Sequence, residues 1–183
     1  MVRSASAYER ELKDLLQGES SAVTRYARGL PPDRRPGIAR LTEAPFLVIR
    51  GAGSLGFDLI ALRNALAFPL EVKASRSDTI RFSSASGRAA TQLAAHRAAV
   101  ERVGLFVLYA YRRVGLRDGE TWRLFVAAAP PRDGRLAVLR RWLPPVDATA
   151  QGNAVLRWAD GMPLSEFLEK LEFLTARPGG PGL

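Results

Sequence analysis

The sequence predicts an α/β fold, a mixed β-sheet flanked by helices. Two observations carry this. Short apolar runs rich in β-branched and aromatic residues recur between residues 46 and 128. Segments with helical spacing interrupt and flank them, in the order helix, three strands, helix, two strands, helices. A chain of 183 residues, 47% of them apolar, can bury roughly 70% of its unfolded surface without cross-links.

Residues 7–16 read as a helix, with Tyr8, Leu12, Leu15 and Leu16 on one face. Ser6 and Glu9 fit a capping box that places Ser6 at the N-cap. Ala22–Gly29 reads as a short helix. Pro31, Pro32, Pro36 and the Arg34-Arg35 pair read as an exposed basic loop. Three strands follow: Phe46–Arg50, Phe57–Leu62 and Phe68–Ala74. The last two form a hairpin closed by Arg63–Ala67. Gly51–Gly56 is a glycine-rich turn, Thr79–Ser83 an edge strand and Ser83–Gly87 a loop of small residues. Thr91–Val103 reads as a helix stopped by Gly104. Leu105–Tyr111 (LFVLYAY) is so uniformly apolar that a central strand is expected. Trp122–Ala128 is a further strand and Arg135–Leu143 a short helix. Gly161–Thr175 is a terminal helix whose Leu164, Phe167, Leu168, Leu171 and Leu174 form one stripe; Arg177–Leu183 is a tail. The expected organisation is one α/β domain over 1–145, with a helical extension, 146–183, packed on it.

Composition excludes several chemistries. There is no cysteine and a single histidine, His96, expected to face solvent. Disulfide frameworks, thiol nucleophiles, zinc ribbons and iron–sulfur sites are therefore ruled out, and His-rich metal sites with them. No uncharged stretch approaches the ~20 residues a membrane span needs, and the first residues lack an apolar signal core. A soluble cytoplasmic protein without membrane contact is expected. The net charge is +9, with 27 basic and 18 acidic residues. The excess is concentrated in residues 21–145, where 21 basic against 9 acidic residues give +12. Such a body points to a polyanionic partner, usually nucleic acid. Twenty-four of the 27 basic residues are Arg, and only Lys13, Lys73 and Lys170 are Lys.

One constellation carries chemistry. Asp58 lies in an apolar strand, and Glu71-Val72-Lys73 lies in the next. Alternation along a strand sends Glu71 and Lys73 to one face. A hairpin closed at Arg63–Ala67 pairs residues whose numbers sum to about 130, which places Asp58 almost opposite Glu71. Two adjacent carboxylates repel and raise each other's pKa. A divalent cation relieves this, and an oxygen-only donor set suits Mg²⁺, with Mn²⁺ as substitute. Lys73 can orient or deprotonate a water, or stabilise a developing oxyanion. Together with a basic body, these groups describe phosphodiester hydrolysis. The competing reading is a solvated strand face with cross-strand ion pairs. Gly51–Gly56 lacks the Lys-Ser/Thr ending of a P-loop and precedes a strand, which argues against a nucleotide cofactor.

The run YERELKDLL, then VIRGAGSLGFDLIAL, PLEVKAS and IRFS, with Gln92 in a helix ending at Gly104, resembles the archaeal Holliday-junction resolvase family. That family belongs to the PD-(D/E)xK endonuclease superfamily. The resemblance covers about residues 7–128 and is most specific over 47–75. It implies a restriction-endonuclease-like sheet and a Mg²⁺-dependent, homodimeric nuclease selective for four-way junctions. It assigns catalysis to Glu9, Asp58, Glu71, Lys73 and Ser54, and metal binding to Glu9, Asp58 and Glu71, with Val72 between Glu71 and Lys73 counted in the metal set. Gln92 matches the family's helix glutamine. Arg50, Arg76, Arg81, Arg88 and Arg112 join Gln92 as expected substrate contacts. Phe57 stands where the family usually has proline, and 18–45 is longer than the family's usual link. Glu9 keeps two readings, a capping-box residue or a site acid. Branched or duplex DNA is the expected partner. Two rivals remain: a nuclease of the same superfamily acting on flaps, mismatches or duplex DNA, and a catalytically idle nucleic-acid-binding module.

Overall fold

The computed structural model describes residues 4–51, 56–82, 88–116, 119–127 and 134–176. Three helices come first: α1 (Ala5–Leu16), α2 (Ser20–Arg28) and α3 (Arg35–Ala39). Strands β1 (Leu47–Arg50), β2 (Leu59–Arg63), β3 (Leu66–Ser75) and β4 (Thr79–Phe82) follow. Then come α4 (Arg88–Glu101), β5 (Val107–Arg113), β6 (Trp122–Ala127) and α5 (Gly134–Trp142). The chain ends in β7 (Asp147–Ala148), β8 (Ala154–Arg157), β9 (Met162–Pro163) and α6 (Leu164–Thr175).

The main sheet has the order β1-β2-β3-β5-β6-β9. Its β3–β5 pair is parallel and the other pairs are antiparallel, so the sheet is mixed as the sequence predicts. A second sheet, β4-β8-β7, is antiparallel. Alternation along the strands builds two cores. Leu66, Phe68 and Leu70 join Leu108, Ala110, Leu124 and Val126 on one face, under α1, α3 and α6. Phe68 sits at its middle, its ring centroid 5.6 Å from Phe167, 6.2 Å from Phe106 and 6.3 Å from Phe46. The other face carries Val107, Tyr109, Tyr111 and Phe125, packed with Leu93 and Val100 of α4 and with Phe82 and Leu156 of the small sheet. Strand β5 is buried on both faces, which explains its unbroken apolar run.

Several boundaries differ from expectation. Helix α1 begins at Ala5 with Ser4 as N-cap, so the Ser6–Glu9 capping box does not form; the Ser4 and Ser6 hydroxyls bond each other at 2.9 Å. Residues 30–45 are folded rather than a plain loop. Pro32 and Pro36 open a 3-10 turn and α3, in first-turn positions where proline's missing N–H costs no bond. Ile38 and Leu41 then reach the core. Segment 146–183 contributes three strands besides α6, so it is not a purely helical extension. Strands β7 and β8 form a hairpin that pairs with β4, and β9 borders β6. The two-residue strands β7 and β9 carry no readable period, and the four-residue β8 little more, so these escape a search for alternation. The Ser83–Gly87 loop and the Arg177–Leu183 tail lie outside the described residues.

One polar link ties distant elements. The Tyr26 hydroxyl donates to Glu120 Oε2 at 2.6 Å, and the backbone N–H of Ser165 donates to Glu120 Oε1 at 3.2 Å. Glu120 thereby joins α2, the start of β6 and α6. Among the described residues, no helix is long and apolar enough to cross a membrane.

The β2–β3 hairpin turns through two residues, Asn64 and Ala65, with φ of 50° and 61°. Asparagine tolerates the left-handed region; alanine there is strained by about 1–2 kcal/mol. We expect Ala65→Gly to raise stability by about 0.5–1 kcal/mol, because relief of strain exceeds the added unfolded-state entropy. Urea unfolding checks this; a loss of stability would show that the turn is not left-handed at residue 65.

Candidate active site

The hairpin register decides which side chains meet. Leu59 pairs with Leu70, so facing residues of the hairpin sum to 129, and Asp58 lies one residue beyond this last pair, close enough for its charge to act on Glu71. The Asp58 N–H donates to the Leu70 carbonyl at 3.1 Å, and its carbonyl accepts the Gly51 N–H at 2.9 Å. Gly51 is required here, since a Cβ on it would lie 1.8 Å from the Phe57 carbonyl oxygen. The close approach of Gly51 to Phe57 anchors the residue just before Asp58.

Beyond Asp58, β2 no longer shadows β3. The backbone N–H of Val72, freed from strand pairing on that side, donates to Asp58 Oδ2 at 2.7 Å. Amide and carbonyl of one strand residue leave on the same side, so the Val72 carbonyl also points to Asp58's side. Glu71 is 2% exposed. Its Oε1 accepts the Lys73 ammonium at 2.5 Å, while Oε2 has no hydrogen-bond partner among the described residues. Lys73 Nζ also donates to Gln92 Oε1 of α4 at 3.2 Å. Strand alternation and the α4 cover thus bring Asp58, Glu71, Lys73 and Gln92 together.

Burial pushes the Glu71 carboxyl up to about 7, the neighbouring Asp58 carboxylate pushes the same way, and the Lys73 ammonium opposes both. A buried carboxylate oxygen without a donor, a second carboxylate and a backbone carbonyl make a hard, oxygen-only donor set. That set fits Mg²⁺ or Mn²⁺ better than softer ions. Among the described residues, no group of three acidic or histidine side chains is arranged to hold a metal. Glu9 stands apart from the pair: its Oε2 accepts Arg50 Nη2 at 2.8 Å. Arg50 ends β1 opposite Leu59, so this ion pair borders the site next to Asp58.

Other expected contacts are distributed unevenly. Arg76 is exposed just beyond β3. Arg81 is exposed on β4, opposite Val155 in the small sheet. Arg112 is bound intramolecularly, donating through Nε to Glu11 Oε1 at 2.7 Å and lying over the Trp122 ring. Ser54 lies outside the described residues, as does the side chain of Arg88.

His96 corrects the expectation of a solvent-facing ring, being 2% exposed. Its Nε2 meets the Gly56 carbonyl, which can only accept, so Nε2 carries the proton. The Tyr109 hydroxyl then donates to Nδ1 at 2.9 Å. Burial lowers the His96 pKa, in keeping with a neutral ring. The Phe57 ring lies against it, with centroids 4.7 Å apart. His96 therefore clasps the residues preceding Asp58 from above, 3.9 Å from Glu71 Oε2. Its helix position between Leu93 and Val100, three after the first and four before the second, was the available signal for burial.

No family model and no curated protein sequence matches this chain. Among solved structures, it is similar to Archaeoglobus fulgidus Hjc, a Holliday junction resolvase from an archaeal hyperthermophile. The two share 18% identity over 80% of this chain and 94% of that chain, with a TM-score of 0.46.

The raised Glu71 pKa sets a pH dependence. Below about 4.5 the carboxyl is neutral in both folded and unfolded chains; between there and about 7 only the unfolded chain ionises, so folding weakens as pH rises. In metal-free buffer, Glu71→Gln should gain stability over wild type across that window, reaching about 1–3 kcal/mol above it. Thermal melts of both proteins from acid to mildly alkaline pH measure the difference. A gap independent of pH would mean that Glu71 is ionised in the fold.

Proposed function

We propose that this protein is a Mg²⁺-dependent DNA endonuclease that hydrolyses phosphodiester bonds in branched DNA, four-way junctions first among them, and so serves recombination and repair. The observation that carries the reading is the buried, donorless Glu71 oxygen beside Asp58, with Lys73 at 2.5 Å from the other Glu71 oxygen. A solvated strand face with ordinary ion pairs would not bury Glu71 or leave half of its carboxylate unanswered. The sequence motifs shared with the resolvase family direct the reading toward junctions.

Asp58, Glu71 and the Val72 carbonyl are the residues that would hold the cation, with Glu9 acting through the Arg50 pair or a water. A divalent cation there supplies positive charge against the phosphoryl oxygens and lowers the pKa of water. The chain's own groups do the rest. The Val72 N–H fixes one Asp58 oxygen, leaving Oδ1 for ligation. Gln92 and Glu71 hold the Lys73 ammonium from two sides, so its remaining N–H is directed rather than free to rotate. That N–H orients the attacking water or steadies charge developing on the phosphoryl group. Exposed Arg76 lies near enough in sequence and strand position to take an adjacent phosphate.

One hairpin presents one cluster and cuts one strand. Resolving a junction takes two symmetric cuts, so the proposal includes a homodimer. Asp58→Asn, Glu71→Gln and Lys73→Ala should each lower cleavage at least ~100-fold while DNA binding persists. Mg²⁺ should raise the melting temperature of wild type and leave that of Asp58→Asn unmoved. The assay incubates the protein with Mg²⁺ and labelled junctions, flaps and linear duplexes, with light scattering for assembly. Undiminished cleavage by Asp58→Asn overturns the site; a monomer that nicks flaps and linear DNA equally well removes the junction preference alone.

A further inference from the structure

A second cavity adjoins a groove that opens beside Lys73 and that none of Asp58, Glu71 or Gln92 lines. The groove, about 520 Å³, is walled by Tyr8, Val72, Lys73, Arg76 and Val114. The neighbouring cavity, about 470 Å³, lies between α1, α2 and the β5–β6 connection and shares Tyr8 and Val114 with it. Its other walls include Glu11, Arg25, Arg28 and Arg112. Glu11 is committed to Arg112 at 2.7 Å. Arg25 and Arg28 are exposed, and among the described residues no carboxylate pairs with either. They stand three residues apart, on one face of α2, where like charges repel. The end of α2 is held in place, since the Gly119 N–H donates to the Gly29 carbonyl at 2.5 Å.

We propose that Arg25 and Arg28 form a phosphate-binding subsite that receives the backbone of the DNA strand running from Lys73 and Arg76 over the Tyr8–Val114 ridge. This rests on the reading of the protein as a DNA nuclease and extends it to a second contact. A guanidinium presents paired N–H donors that match two phosphate oxygens, so a phosphodiester suits the cavity. Base stacking does not, because Tyr8 is buried and the Tyr26 hydroxyl is tied to Glu120. The contact is therefore independent of base sequence. A simpler account exists: cations in the last turn of a helix favour its negative end. That account predicts a loss of stability and no effect on DNA.

The test uses the full chain and two double variants of equal charge change. Arg25→Glu with Arg28→Glu alters the cavity. Arg135→Glu with Arg141→Glu alters exposed residues of α5, which line neither cavity. Binding of a fluorescein-labelled four-way junction and of a linear duplex is followed by anisotropy in EDTA across a salt titration. The cavity variant should lose at least ~10-fold in affinity and its log–log salt slope should fall by about two, near 0.9 per phosphate released, while the α5 variant keeps its slope. With Mg²⁺, the cavity variant should raise KM and leave kcat within ~3-fold, as for a contact made equally in ground and transition states. Equal slope losses in both variants would reduce the effect to bulk charge and overturn the subsite. A lowered melting temperature with unchanged affinity would do the same in favour of the helix end. Arg25→Gln with Arg28→Gln repeats the measurement if the reversal prevents folding. Because binding is read without metal, a wild-type protein that binds both probes but cuts neither refutes the nuclease reading and not the subsite.

Discussion

A buried carboxylate oxygen without a hydrogen-bond partner among the described residues lies at the centre of the candidate site, and the arrangement around it depends on a two-residue turn. With Asn64 and Ala65 closing the hairpin, facing residues sum to 129, and Asp58, just before β2, comes to lie beside Glu71. One residue more in the turn would send Glu71 and Lys73 into the face filled by Phe68 and Leu70. Such a slip would bury two charges under α1 and α6 and expose two large apolar side chains. The aromatic packing around Phe68 therefore enforces the register, and the register sets the site.

The second dependence is on α4. Strand β3 alone would leave Glu71 and Lys73 in water, where two carboxylates and an ammonium are unremarkable. Gln92 and His96 of α4 cover them and supply what the strands lack. Gln92 fixes the ammonium; His96, through Gly56, holds the approach to Asp58. The neutral ring adds no positive charge that would compete with a cation at the carboxylates. The same closure raises the Glu71 pKa, so structural cost and chemical readiness are one fact seen from two sides.

Strands marked by continuous apolar runs were legible in the sequence to within two residues: β1, β5 and β6 sit where those runs place them. Asp58, Glu71 and Lys73 were legible because their positions follow from strand period and turn length alone. His96 was not, because a single polar residue on a helix is ambiguous until its neighbours are known; the apolar spacing to Leu93 and Val100 was the clue. The prolines at 32 and 36 suit an exposed loop, although the first turn of a helix accepts them equally well. Strands β7, β8 and β9 were invisible because strands of two to four residues carry little pattern, and β8 and β9 pair with β4 and β6 far along the chain. The Glu9–Arg50 pair joins α1 to β1, 41 residues apart, and no local pattern announces it.

The sheet's single parallel pair has a consequence for the order in which the molecule assembles. Asp58 and Glu71 belong to one hairpin and meet by closing a short loop. Strands β3 and β5 can pair only after the chain from Ser75 to Val107, with α4 inside it, has folded back. Loop-closure entropy favours the short contact first. The two carboxylates are therefore brought together while water still screens them, and the solvent is withdrawn later, when α4 settles over the hairpin. The folding chain thus separates in time two costs, bringing like charges together and drying them, that the finished site carries at once.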